Sequence, residues 1–214
     1  EKEWPLARTQ YRKLYLDSAN MTLSPAAPVN ESVASFDATT DVLNYDIRFE
    51  EETEITGYMS LHAWFSVLGY DDADLFFTVK KLGQDGQELP VSVIDEPHPG
   101  TWCKQRLSMR ALDEKASTET RPVQSFLKIE KLTEGEAVRL DICFVPTSRI
   151  WHKGETLRLQ IAGRYIRDEN WFETLVWLPD NQGTQRVHTG GAHSSYLTIP
   201  VIPPRYQSGD YILR

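Results

Sequence analysis

The sequence predicts an all-β fold, a jelly-roll β-sandwich, on three observations. Apolar residues recur at every second position in many short runs, the spacing that puts alternate side chains on one face of a strand. Turn-forming Gly, Pro and Asp residues fall between those runs. No stretches of helical period alternate with them, which argues against a βαβ fold.

Taken in chain order, the first strand is predicted at 13–16 and the next at 43–49. Within 59–67, Met59, Leu61, Ala63, Phe65 and Val67 alternate with Ser60, His62, Trp64 and Ser66. The second set is only mildly polar, so both faces of that strand are expected to be covered. Gln84, Asp85, Gly86 and Gln87 form a strong turn signal, since Asp and Gly tolerate positive φ, and 75–94 reads as a β-hairpin around it. A strand at 102–110 follows, then one short helix at 109–117 and a strand at 124–129. Val138, Leu140, Ile142 and Phe144 alternate with Arg139, Asp141 and Cys143, as a half-buried antiparallel strand requires, and 157–161 repeats the pattern. The last two strands are expected at 185–189 and 195–201. Pro25, Pro28, Pro97, Pro99, Pro122, Pro146 and Pro179 fall between runs, whereas Pro90 and Pro200 lie inside runs and place those strands at a sheet edge or a bulge.

The 214 residues are 40 % hydrophobic and 25 % charged, an ordinary globular composition, and a single domain over 1–214 is expected. The net charge of −8, with no basic stripe, excludes sequence-independent binding of nucleic acid or of an anionic membrane. The longest uncharged stretch, 55–70, is shorter than the ~20 apolar residues a membrane helix needs. Cys103 and Cys143 are too few for a disulfide framework or a zinc site and read as reduced thiols, so a cytoplasmic location is expected over secretion. Asn20 and Asn30 head glycosylation tripeptides that matter only in a secreted protein. The chain opens at Glu1 with no initiator Met and no apolar leader, so further sequence is expected to precede it.

No complete catalytic site is expected. A hydrolase of the α/β type carries its serine on a strained turn with small neighbours, Gly-x-Ser-x-Gly, and the chain contains no such segment. His188, Gly190, Gly191, His193, Ser194 and Ser195 crowd together, but a glycine-rich turn whose side chains serve local backbone explains them without a substrate. Asp71, Asp72 and Asp74 are weak candidates for a calcium site. They lack the glycine and distal glutamate of an EF-hand, and a solvated turn or a contact with Arg or Lys accounts for them better, so no metal or other cofactor is assigned. Glu50, Glu51, Glu52 and Glu54 beside a strand end read as a solvated acidic face. The six tryptophans, at 4, 64, 102, 151, 171 and 177, exceed what one core hides comfortably, so some are expected to face a partner or ligand.

Several short segments in colinear order carry a resemblance. They are Glu3-Trp4-Pro5-Leu6, Asp41-Val42-Leu43, Glu54-Ile55-Thr56-Gly57, Asp72-Ala73-Asp74-Leu75-Phe76 and Asp85-Gly86, then Pro146-Thr147-Ser148, Lys153-Gly154-Glu155-Thr156-Leu157-Arg158-Leu159 and the ending Ser195-Tyr196-Leu197-Thr198-Ile199-Pro200-Val201-Ile202-Pro203. Together they resemble the C-terminal domain of the X-prolyl dipeptidyl peptidase and cocaine esterase family of serine hydrolases. The resemblance implies a galactose-binding-domain-like jelly roll packed against an α/β-hydrolase catalytic domain of the same parent protein. The nucleophile, acid and histidine belong to that other domain, and small acyl esters or peptides reach it there. It further implies that the loop 18–40 helps wall the acyl pocket, with Phe36, the loop's only aromatic residue, as the substrate-pocket candidate. A homo-oligomer is left open, and the alternative function is a free-standing carbohydrate- or ligand-binding β-sandwich module.

Overall fold

The computed structural model describes residues 3–93, 96–98, 100–166, 179 and 181–204. Strands β1 (Gln10–Asp17), β2 (Thr22–Ser24), β3 (Ser32–Asp37), β4 (Val42–Arg48) and β5 (Thr53–Gly57) come first. They are followed by β6 (Ser60–Leu68), β7 (Asp74–Leu82), β8 (Val91–Val93), β9 (Glu96–His98) and β10 (Thr101–Arg106). After a 3-10 turn at Leu107–Met109 come β11 (Val138–Cys143), β12 (Thr147–Trp151), β13 (Thr156–Ala162), β14 (Thr184–Thr189) and β15 (Tyr196–Ile202).

One ladder of hydrogen bonds runs β10-β7-β13-β4-β2-β1-β15-β6-β14-β3, with β11 on the free edge of β6 and β12 joined through β5 to β15. Its pairs are antiparallel except for the single parallel bridge between Thr22 of β2 and Asp46 of β4. β6 and β7 are far apart along that ladder, yet the rings of Phe65 and Phe77 meet at 5.9 Å and those of Phe77 and Phe144 at 6.4 Å. The sheet therefore folds over itself and encloses one core, an all-β sandwich. Leu61, Ala63, Phe65 and Val67 of β6 share that core with Leu75, Phe77 and Val79 of β7. Each large side chain fully buried there is worth about 1.5–3 kcal/mol.

Both faces of β6 are largely covered, as its mildly polar alternate set predicts, and all nine residues of β7 are buried. On the outer side of β7, Tyr165 lies edge-on to Phe76 and Trp102, and Lys80 pairs with Glu88 at 2.7 Å.

Four expectations need correction. The 75–94 hairpin is only three residue pairs deep: the turn forms, with the Gly83 N–H donating to the Gln87 carbonyl, Leu82 bridging Glu88 and the Leu89 N–H donating to the Lys81 carbonyl. From Val79 back to Asp74 that edge of β7 belongs to β10 and the other edge to β13, so the departing chain folds β8 onto β9 instead. Pro97 accordingly lies in β9, not between runs. No helix forms over 109–117; after the 3-10 turn the Asp113 carboxylate accepts from the backbone of Lys115 and Ala116 and holds a local turn. The 124–129 strand is reduced to one bridge, Leu112 with Gln124, because Phe126 adopts a left-handed φ of 53°. Pro200 sits where β15 changes partner, after Thr198 leaves β6 and before Val201 meets β5, so its missing N–H falls in the gap.

Candidate functional site

At one end of the sandwich, Tyr70, Asp72, Asp74, Arg106, Lys131 and Asn181 line a polar cleft of about 130 Å³. Asp74 opens β7 directly across from Arg106 at the end of β10, and the guanidinium grips its carboxylate at 2.8 and 2.7 Å. Asn181 fixes the backbone there, accepting from the Asp74 N–H and donating to the Asp74 carbonyl. Asp72 is buried; its carboxylate accepts from the Ser108 N–H at 3.0 Å and the Ser108 hydroxyl at 2.6 Å, tying down the 3-10 turn, and lies 3.3 Å from the Lys131 ammonium. Asp71 meets the same ammonium at 3.0 Å, and the hydrogen bond to Asp71 holds the Lys131 pKa above its ordinary value. Each of the three aspartates thus faces a cation of the chain itself. No group of three or more metal-ligating side chains gathers among the described residues.

On the outer face of β6 a second cluster has the outline of a charge relay. His62 Nδ1 lies 2.6 Å from Asp141 Oδ1, and Ser60 Oγ lies 3.3 Å from His62 Nε2. A proton on Nδ1 satisfies Asp141 and leaves Nε2 to accept the Ser60 hydroxyl. Burial raises the Asp141 pKa, but the hydrogen bonds from His62 and Arg139 outweigh it and hold the carboxyl below its ordinary value. Ser60 is 0 % and His62 5 % exposed. The Tyr196 ring stacks on His62 at 4.7 Å, Lys13 lies over Tyr196 and bonds Glu119, and the Gln124 amide donates to the Asp141 carbonyl. A serine that no acyl carbon can approach cannot act as a nucleophile, so the network is closed and structural. Ser60 and His62 share a face by their two-residue spacing, a signal present in the sequence. The missing link was the register, which pairs Asp141 with His62.

The glycine-rich segment after β14 is a bulge in the ladder, for β14 and β15 pair in succession with one edge of β6. Ser195 Oγ accepts from the Trp64 N–H and donates to the His188 carbonyl, and Thr189 Oγ1 accepts from the Ser18 N–H. These hydroxyls serve backbone groups. His188 Nε2 lies 2.8 Å from Ser66 Oγ, and the His188 and His193 rings are 5.3 Å apart. Burial and then the neighbouring His193 and Arg186 hold the His188 pKa below its ordinary value.

Phe36, the substrate-pocket candidate, is 2 % exposed and belongs to the core cluster. The residues of the loop 18–40 that do reach solvent include Val29 and Val33. Glu51 and Glu52 of the acidic run face Arg12 and His152 at the surface. Trp151 is buried and Trp4 is 54 % exposed, while Trp171 and Trp177 lie outside the described residues.

The chain matches the X-Pro dipeptidyl-peptidase C-terminal non-catalytic domain over residues 1–198. No curated protein matches it significantly. Among solved structures, a CocE/NonD family hydrolase from Staphylococcus aureus is 29 % identical with a TM-score of 0.88, covering 94 % of this chain and 38 % of that one. An aminopeptidase from the marine sediment archaeon Thaumarchaeota archaeon (15 % identical, TM-score 0.66, covering 94 % of this chain and 38 % of that one) shares the fold. So does an alpha-amino acid ester hydrolase (18 % identical, TM-score 0.60, covering 89 % of this chain and 36 % of that one). The chain thus spans well under half the length of these hydrolases. The family match over residues 1–198 and the all-β sandwich agree, and the chain belongs to the family of X-Pro dipeptidyl-peptidase C-terminal non-catalytic domains.

Proposed function

We propose that this chain is the accessory domain of a serine hydrolase of the acyl esterase or X-prolyl dipeptidyl peptidase type, packing on an α/β-hydrolase catalytic domain of the same parent protein. The observation that carries this reading is the coverage asymmetry: the match with the CocE/NonD family hydrolase takes 94 % of this chain but 38 % of that one, leaving the larger part of that hydrolase to another unit. In this reading the triad acts elsewhere, and this domain excludes water around it, which strengthens the electrostatics of the reacting groups. The loop 18–40 helps wall the acyl pocket; the exposed side chains of Val29 and Val33 support that role better than buried Phe36. Substrates are small acyl esters or peptides, reached through the parent protein. Two unpaired cysteines support a cytoplasmic location.

The test is turnover of a chromogenic short-chain ester and of an X-prolyl anilide, together with labelling by a fluorophosphonate serine probe. The longer parent protein is expected to turn over at least one substrate and to be labelled, and this chain by itself to do neither. Labelling of Ser60 or any other serine in this chain alone would overturn the reading.

A further inference from the structure

We propose that the loop carrying Phe126, Leu127 and Ile129 is the anchor by which this domain seats on the catalytic domain of its parent protein. The inference rests on the reading above and adds the surface that the contact uses. Among four consecutive residues, Phe126 is 63 %, Leu127 91 % and Ile129 65 % exposed. Single exposed apolar residues are ordinary on a protein surface, but a cluster of three large ones marks a contact site.

The loop is rigidly presented. On its entering side the Ser125 N–H donates to the Ala111 carbonyl at 2.9 Å, and the Ser125 hydroxyl reaches the same oxygen at 3.2 Å. On its leaving side the Glu130 N–H donates to Ser108 at 2.7 Å, the Leu132 N–H donates to Asp71 at 2.8 Å, and Leu132 itself is buried. Arg110 clamps the Glu130 carbonyl at 2.8 Å. Between these fixed ends, Phe126 takes a left-handed φ of 53°, a conformation that costs a non-glycine residue about 1–2 kcal/mol. A loop that tolerates this strain and still leaves its apolar side chains in water is pre-organised for a partner, and pre-organisation lowers the entropic cost of docking. Around the apolar centre, Glu130 pairs with both Lys128 and Arg110, a polar rim of the kind that surrounds interface anchors.

The occupant follows from what the domain lacks and from what its relatives have. A second copy would have to receive the three apolar side chains, and among the described clefts the one at Asp72, Asp74 and Arg106 and the one at Arg48, Glu50 and Lys153 are lined by charged side chains. A membrane is disfavoured by the net charge of −8 and by the pairing of Lys128 and Lys131 with carboxylates. The remaining partner is the larger unit that accounts for most of the length of the related hydrolase.

Hydrogen exchange of the parent protein and of this chain, measured side by side, decides the matter. The amides of residues 126–129 are expected to exchange at least tenfold more slowly in the parent. F126D/L127D, with L127D as the milder variant, should abolish that difference while leaving the unfolding midpoint of this chain unchanged. Protection that appears on another face in the parent overturns this inference and leaves the accessory-domain reading standing; protection nowhere on the domain sinks both. Concentration-dependent self-association of this chain that the two substitutions abolish, or binding of the chain to phosphatidylglycerol vesicles that they abolish, would assign the loop to a different partner and overturn the proposal.

Discussion

Asp72 directs both carboxylate oxygens at Ser108 and is buried, whereas the neighbouring Asp71 carboxylate meets the Lys131 ammonium at the surface. Removing Asp72 strands a buried N–H and a buried hydroxyl, so D72A is expected to cost about 1–3 kcal/mol, while D71A should stay within about 0.5 kcal/mol. Urea unfolding midpoints of the two variants check the contrast. His188 supplies the pH dependence. It faces His193, Arg186, Glu31 and the Ser66 hydroxyl, and its pKa in the folded state lies below the ordinary value of 6.5. The unfolded chain therefore takes up this proton first as pH falls, so the stability tied to the neutral imidazole is fully present above about pH 6.5 and is lost as pH falls from there toward the folded pKa. H188Q should flatten the slope of unfolding free energy between pH 7 and pH 5 relative to the unsubstituted chain; an unchanged slope would show that the imidazole does not carry it. The aspartate cluster and the histidine-rich loop were both visible as motifs. Their roles were not, because Ser108, Lys131, Arg106 and Ser66 are brought to them from elsewhere in the chain.

At the scale of elements, the alternating runs formed strands where the pattern predicts them: β1, β4, β6, β7, β10, β11, β13, β14 and β15 each overlap a predicted run. The strands at Ser32–Asp37, Thr53–Gly57 and Thr147–Trp151 went unpredicted, since they are short and their alternation is carried by Thr, Ala and Gly as much as by large apolar residues. β14 shows how pattern and burial separate: Gln185 and Thr189 lie on the buried side with Val187, while Arg186 and His188 are only partly covered. Glycines make the junctions testable. Gly183, at φ +71°, leads into β14, and a Cβ there would fall 2.1 Å from the Leu68 carbonyl, where β14 meets β6. Gly86, at φ +81° in the turn after β7, has nothing within 4 Å. G86A should cost about 1 kcal/mol for the left-handed backbone alone, whereas G183A adds the displacement of β14 and should cost more than about 2 kcal/mol. Thermal midpoints of the two variants distinguish the cases.

At the scale of the molecule, one core cluster joins both layers, and Phe77 sits at the crossing, in contact with Phe65 and Phe144. F77A is expected to cost about 3–5 kcal/mol, the loss typical of a large aromatic deleted from a close-packed core. If the layers form a single cooperative unit, far-ultraviolet circular dichroism and tryptophan fluorescence, to which buried Trp151 contributes, will agree on one midpoint within each protein, lower in the variant; separated midpoints would divide the chain into independently melting parts. Among the described residues no helix is long and apolar enough to cross a membrane.

The sequence by itself determined the all-β class, the absence of a nucleophile elbow and the kinship carried by its colinear short motifs. All three depend on residue order and on a period of two, which are local properties of the chain. Tertiary structure alone decided which edges pair, that the hairpin around Gly86 stops after a few residues, that Ser60, His62 and Asp141 meet beneath a cover, and that Phe126 and Leu127 point to water while Phe36 does not. Exposure and register are set by contacts between residues distant in sequence, and the pattern within one run does not record which strand or loop it will meet.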